Sequence, residues 1–131
     1  MRRKAAWTFA LSALMLLPVF GGSVSAHHSQ AAYDGDKRVE LRGVVVEFSW
    51  KNPHVFVVWD TKDSSGNTLR WTGEMSSTNT MMAAGLRRTS LKAGDEIVVI
   101  VSPAKAGNPA GLVRRISTAD GKLTVDRLTG Q

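Results

Sequence analysis

The chain contains no cysteine among its 131 residues. No disulfide can therefore stabilise the fold, and no lipid can be attached through sulfur. Histidine is also scarce, with three in the chain, so a closed structural zinc site with four ligands is disfavoured. Internal repeats and a glycine-rich phosphate-binding loop are absent as well. Any metal site in this protein must therefore depend on the few histidines.

The first 26 residues have the three-part pattern of a secretory signal peptide. Cations at positions 2–4 precede an apolar run at positions 5–20, and the small residues Val24 and Ala26 occupy positions −3 and −1. The apolar run is shorter than the roughly 20 residues that a membrane-spanning helix needs. We therefore expect cleavage before His27 and release of the mature protein into the periplasm, without stable membrane insertion.

Cleavage would leave a mature chain of about 105 residues, which suits one small domain. We expect a leader at residues 27–38 and one domain at residues 39–131. The formal charge of +6 overstates the basicity of the mature protein, because the signal removes three of its cations. Weak basicity and export together disfavour nucleic acid as a partner.

The domain is predicted to be all-β, with one short helix between strands 3 and 4. Strands are predicted, from alternating and β-branched patterns, at residues 39–50, 54–60, 69–75, 96–102, 112–119 and 122–125. Ser76 or Ser77 can begin the helix and Gly85 can end it. This order is typical of a small five- to six-stranded barrel like the oligonucleotide/oligosaccharide-binding (OB) fold. A small open sandwich is the alternative.

The first strand changes its apolar face partway along. Val39 and Leu41 place apolar side chains at odd positions, whereas Val44 and Val46 place them at even positions, and Gly43 lies at the changeover. An extra residue can re-aim the inward face of a strand in this way. We therefore predict a bulge or a sharp bend at Gly43.

Several short motifs are spread over most of the mature chain. They are His27-His28-Ser29 with Tyr33-Asp34, Leu41-Arg42-Gly43-Val44-Val45, Trp50-Lys51-Asn52-Pro53-His54, Trp71 through Glu74, Gly85, Leu91-Lys92-Ala93-Gly94-Asp95, and Asp120-Gly121. Together they resemble domain-of-unknown-function family 6152, a family of small exported bacterial proteins. The resemblance implies an exported address and a single compact domain, and it supplies neither a reaction nor functional residues.

The histidines are the candidate metal ligands. Cleavage before His27 would offer an amine and an imidazole, His28 adds a second imidazole, and His54 follows an Asn-Pro turn. Such nitrogen ligands suit Cu(II). The alternatives are a disordered terminus that binds nothing and a His54 that pins its turn through the backbone. Thioethers at Met75, Met81 and Met82 would favour Cu(I), although methionines at such positions more often fill the core.

Catalysis has little support in the residue pattern. Ser29 lies beside His28 without a third group to orient the base, as nucleophilic catalysis needs. Asp60 and Glu74 fall on different strands and could pair across a cleft, but exposed carboxylates on strands ordinarily aid solubility. We therefore expect that the protein is not an enzyme.

Three kinds of binding function remain. The sharpest hypothesis is a non-catalytic accessory protein that binds copper through His27, His28 and His54. A second is a module for carbohydrate or a cell-envelope ligand, in which Trp50, Phe56, Trp59 and Trp71 form a stacking platform. The alternative for these rings, which the size of the domain favours, is that they pack in the core. A third is an accessory subunit that binds another protein.

Overall fold

The computed structural model describes residues 30–126 of the chain. The predicted signal peptide, His27 and His28 lie outside this range. The elements are β1 (Val39–Ser49), β2 (Phe56–Lys62), β3 (Thr68–Glu74), α1 (Thr78–Ala83), β4 (Glu96–Pro103), β5 (Ala110–Thr118) and β6 (Thr124–Asp126). Their order matches the predicted order. Within residues 30–126, no helix has the length and apolar character needed to cross a membrane.

Five of these strands close into a barrel. Antiparallel pairs join β3 to β2, β2 to β1, β1 to β4 and β4 to β5. A short parallel pairing of β3 with β5, in which Glu74 lies opposite Leu112, closes the ring. The strand β6 pairs with β5 as an addition to the barrel. The predicted OB-like barrel is therefore confirmed, and the open sandwich is wrong.

The barrel interior is filled by side chains that alternate along the strands. On β4, Ile97, Val99 and Val101 are buried, and on β2 the same holds for Val57 and Trp59. Alternation places every second side chain of a strand on one face. One apolar core therefore occupies the barrel, without a disulfide to support it.

The helix α1 has the boundaries that its sequence predicts. Ser77 is the N-cap, and its hydroxyl accepts a hydrogen bond from the amide of Thr80 at 3.3 Å. Gly85 follows the last turn with φ of 98°, a conformation that glycine adopts without steric cost. Met81 is fully buried and joins the helix to the barrel core.

The irregularity in β1 lies three residues beyond the predicted place. The register with β2 shifts between Val45 and Glu47, whereas Gly43 has no positive φ. A Cβ atom at Gly43 would instead lie 2.1 Å from the carbonyl oxygen of Asp60 and 2.8 Å from Cδ1 of Trp59. The predicted bulge at Gly43 is therefore wrong, because the extra residue of β1 is Val46. A glycine is needed at position 43 because β2 passes too close to leave room for a side chain.

Candidate functional site

The carboxylate of Glu74, at the end of β3, holds two side chains from distant parts of the chain. Nδ1 of His54 lies 2.6 Å from Oε1, and the hydroxyl of Tyr33 donates to Oε2 at 2.7 Å. Glu74 is only 8% exposed. Both contacts are of the charge-assisted type, which is stronger than a hydrogen bond between neutral groups. Glu74 therefore ties the leader and the turn before β2 to one point on the barrel.

Backbone pairing beyond the ends of β2 and β3 places His54 beside Glu74. The amide of Met75 donates to the carbonyl of Val55 at 2.8 Å, so the segments that extend β2 and β3 stay paired beyond Glu74. The preceding turn is anchored separately, because Oδ1 of Asn52 accepts from the amide and the hydroxyl of Thr78. The Asn52 side chain thus pins the turn to α1, and the His54 ring is directed at a carboxylate.

The leader is attached to the last residue of β4 and to the residue that follows it. Tyr33 forms an isolated antiparallel bridge with Ala104, and the amide of Asp34 donates to the carbonyl of Pro103 at 2.8 Å. Burial raises the pKa of Tyr33, and the hydrogen bond to Glu74 raises it further. The Tyr33 hydroxyl therefore remains protonated and can keep donating to Glu74.

The other end of the leader is held by Arg38. Its Nη1 donates to the carbonyl of Gly35 at 2.6 Å and to the hydroxyl of Ser102 at 2.8 Å. Nε of Arg114 donates to the same hydroxyl at 2.9 Å. Burial and the nearby charge of Arg38 lower the pKa of Arg114. Ser102, which is fully buried, thus joins the leader to β4 and β5.

Glu74, Leu112 and Ser102 form a row across three neighbouring strands, which we call the outer row. Leu112 lies opposite Glu74 in the β3–β5 pairing and opposite Ser102 in the β4–β5 pairing. The adjacent residues Gly73 and Val113 face the interior, since a Cβ at Gly73 would lie 2.6 Å from Val113. The outer row therefore faces away from the core, and yet all three of its residues are buried.

The sequence also matches a known protein family. Residues 16–115 match DUF6152, which is described as a family of unknown function. The chain belongs to this family. The match includes the whole Tyr33, His54 and Glu74 cluster, and it confirms the resemblance inferred from the motifs. Comparisons with curated proteins and with solved structures find no match.

The predicted metal ligands of this DUF6152 protein are described only in part. His54 lies in the cluster with 26% of its side chain exposed, whereas His27 and His28 lie outside residues 30–126. Within that range, no three histidine or acidic side chains are grouped as a metal site. Met75 and Met81 belong to the core, as expected, whereas Met82 is 42% exposed. The three-histidine site thus stays a prediction.

Sequence reasoning missed the roles of Glu74 and Tyr33. It favoured an ordinary solubilising role for Glu74 and Asp60 over a pairing of the two across a cleft. The guanidinium of Arg70 binds Asp60 through two hydrogen bonds of 2.8 and 2.9 Å. Glu74 turns instead to His54 and Tyr33. The Tyr33 contact leaves no local signal in the sequence, because 41 positions separate Tyr33 from Glu74.

The aromatic residues proposed as a platform do not share one exposed face. Trp59 is fully buried, and Trp71 stacks on it with ring centroids 6.1 Å apart. Phe56 is three positions from Trp59 on β2 and therefore lies on the opposite face. Trp50 packs against Phe48 at 5.8 Å and against the core. In the described part of the chain, these rings serve mainly to pack the barrel.

We expect iodide to quench the tryptophan fluorescence of the folded mature protein weakly. Trp59 is inaccessible to an ion, and Trp50 and Trp71 are only partly exposed. The measurement is the quenching slope of the folded protein relative to that of the same protein in urea. Equal slopes would contradict this packing role and favour a platform for an envelope ligand.

Proposed function

We propose that this DUF6152 protein is an exported, non-catalytic accessory protein that binds copper through His54 and the histidines of its mature N-terminus. The signal-peptide pattern supports export, and one observation carries the metal site. That observation is the Glu74 carboxylate, which contacts His54 and Tyr33 together. It bears on the proposal in two ways, through the chemistry of the imidazole ring and through the path of the leader.

The imidazole of His54 is oriented as metal-binding histidines commonly are. An ionised carboxylate only accepts hydrogen bonds, so Nδ1 of His54 must donate to Glu74. In the neutral ring, Nε2 then keeps its lone pair. Metal-binding histidines usually donate their other ring nitrogen to a carboxylate, a carbonyl or a water. His54 is therefore prepared to bind a metal through Nε2.

The remaining candidate ligands precede Tyr33 in the leader. Tyr33 contacts the same carboxylate as His54, and His28 is five positions before Tyr33 in the sequence. Five residues span at most about 17 Å even when fully extended. The proposal therefore requires that His27 and His28 approach the Nε2 side of His54 from the Tyr33 end of the leader.

The available donors favour Cu(II) among the common metal ions. Two or three imidazoles and an amine are nitrogen ligands, which suit copper better than magnesium or calcium. Met75 and Met81 are 1% and 0% exposed, so of the three methionines that could favour Cu(I) only Met82, at 42%, presents its thioether to solvent. The missing cysteine also removes the thiolates that Cu(I) prefers. A nitrogen-bound Cu(II) with open coordination positions is the site that this chain can build.

Replacing His54 by alanine is expected to weaken Cu(II) binding at least about tenfold. Even the loss of a residue that only orients a metal ligand commonly lowers metal affinity by about 10- to 100-fold. Adding one alanine before His27 is expected to weaken it too, because the free amine moves off the histidine. The measurement is a competition titration with a chelator of known affinity. Intact mass must first show that the protein begins at His27. Lys51→Ala, an exposed change in the same turn, is the matched control.

Each other outcome has a definite meaning. Loss of affinity only when the terminus is extended would indicate a local peptide chelate to which the fold contributes nothing. Unchanged affinity in both variants would reject the copper function. A mass that retains the signal peptide would reject both the exported address and the free amine at His27.

A further inference from the structure

We infer that Arg38 binds a phosphate group through the Nε–Nη2 edge of its guanidinium, with the charge of Arg114 beside it. The inference goes beyond the copper proposal, since it uses neither His54 nor Glu74. Arg38 is the last residue before β1, and Arg114 lies on β5. Both side chains reach the hydroxyl of Ser102 on β4, at 2.8 and 2.9 Å.

The guanidinium of Arg38 is held through one of its nitrogen atoms. Nη1 donates to the carbonyls of Gly35 at 2.6 Å and Lys37 at 2.7 Å, as well as to Ser102. Within residues 30–126, no acceptor contacts Nε or Nη2 of Arg38, and no carboxylate forms an ion pair with it. Because the guanidinium is planar, the bonds at Nη1 also fix the direction of its Nε–Nη2 edge. Arg38 is exposed, so a ligand can approach this edge from solvent.

Arg70 shows what this edge does when an oxyanion lies beside it. Nε and Nη2 of Arg70 donate to the two carboxylate oxygens of Asp60, at 2.8 and 2.9 Å. Two parallel hydrogen bonds of this kind are the usual way in which arginine binds a carboxylate or a phosphate. The same edge of Arg38 offers two such donors to an oxyanion from solution.

The charges at this place favour a ligand with more than one negative charge. The hydroxyl of Ser102 accepts from both arginines, but it is neutral and offsets neither of them. Burial lowers the pKa of Arg114, and the charge of Arg38 lowers it further, as expected where positive charges lie close together. A phosphate monoester carries a charge of about −1.5 to −2 at pH 7. It therefore complements two arginines better than a single carboxylate does.

The test is a titration of the metal-free mature protein with inorganic phosphate, followed by nuclear magnetic resonance at the Nε–H signals of the arginines. We expect the signal of Arg38 to shift saturably and to shift further than that of Arg70, whose edge already binds Asp60. Sodium chloride at the same ionic strength should not reproduce the shift. Acetate should bind more weakly than phosphate, and equal binding of the two would overturn the assignment to phosphate.

Substitutions separate the geometry of this site from its charge. We expect Arg38→Gln to weaken phosphate binding about tenfold or more, as the loss of hydrogen bonds to a charged group does. Arg38→Lys should weaken it too, because an ammonium group keeps the charge but cannot form the two parallel bonds. Arg114→Gln should also weaken it. Arg42→Gln, an exposed change on β1, is the matched control, and His54→Ala should have no effect.

Circular dichroism must show that each variant is folded, because Arg38 also fastens the leader to Ser102. Where a variant does not fold, the Nε–H shift of Arg38 in the unsubstituted protein decides. A loss of affinity in Arg42→Gln equal to that in Arg38→Gln would indicate general attraction to positive charge and overturn the site.

Vesicles distinguish the two sources of a phosphate monoester. Co-sedimentation with phosphatidylcholine vesicles that contain phosphatidic acid, compared with phosphatidylcholine alone, tests a lipid headgroup. Arg38-dependent binding to these vesicles would assign the site to a lipid, whereas Arg38-dependent binding of free phosphate alone would assign it to a soluble ligand. If the Arg38 signal does not shift and vesicle binding does not depend on Arg38, the inference is wrong.

Discussion

Replacing Gly43 by valine is expected to lower the free energy of unfolding by about 3 kcal/mol or more, the upper part of the range for overpacked sites. A Cβ atom there would lie 2.1 Å from the carbonyl oxygen of Asp60 and 2.8 Å from the Trp59 ring. The obstacle at Asp60 is backbone, so no rotation of a side chain can relieve it. Strand β2 would have to move away from β1, at the place where the two strands pair around the core.

The measurement is urea unfolding of Gly43→Val and Gly43→Ala, followed by circular dichroism. Gly35→Ala is the matched control, because a Cβ there meets nothing within 4 Å and the residue has no positive φ. We expect the control to be neutral or slightly stabilising. Gly43→Ala with the stability of the control would contradict the close approach of β2.

Replacing Trp59 by alanine is expected to cost about 3–5 kcal/mol of stability, which is typical for the removal of a buried large aromatic side chain. The ring is fully buried at the centre of the barrel, stacked on Trp71, and it also lies beside Gly43 and Gly73. The cavity left behind would be lined by strands whose pairing limits their collapse.

Trp71→Ala is the comparison for this prediction. Because Trp71 is only partly buried, its replacement should lower the free energy of unfolding by less than that of Trp59. Urea unfolding of both variants gives the two free energies. A Trp59→Ala protein as stable as the parent would mean that Trp59 is not a core residue, and it would revive the idea of a ligand platform. The expected result would mean that the side chains inside the barrel serve packing, and that the candidate site lies on the outer surface of the barrel.

The placement of this site on the outside of the barrel matters for function. The carboxylate of Glu74 is buried and contacts Tyr33 and His54, while 26% of the His54 side chain stays exposed. A ligand that binds His54 therefore reaches it from solvent without opening the core.

Elements with local signals could be predicted from the sequence. Alternating apolar residues identified the strands, Ser77 and Gly85 bounded the helix, and the order of elements led to the OB-like barrel. The family was recognisable from its motifs and is confirmed by the match over residues 16–115. These features depend on neighbours in the chain, so the residue pattern contains them directly.

The cluster of Tyr33, His54 and Glu74 depends on register, which the pattern leaves open. Sliding one strand by two residues preserves the alternation of inward and outward side chains but changes every cross-strand partner. Only the observed pairing of Phe56 with Glu74 brings the carboxylate beside His54, and only the path of the leader over the outer row adds Tyr33. The true place of the β1 bulge was equally hidden, because a parity shift in one strand does not show where its partner strand approaches. Contacts between distant segments arise when the barrel closes, and for that reason the tertiary structure was needed to assemble the site.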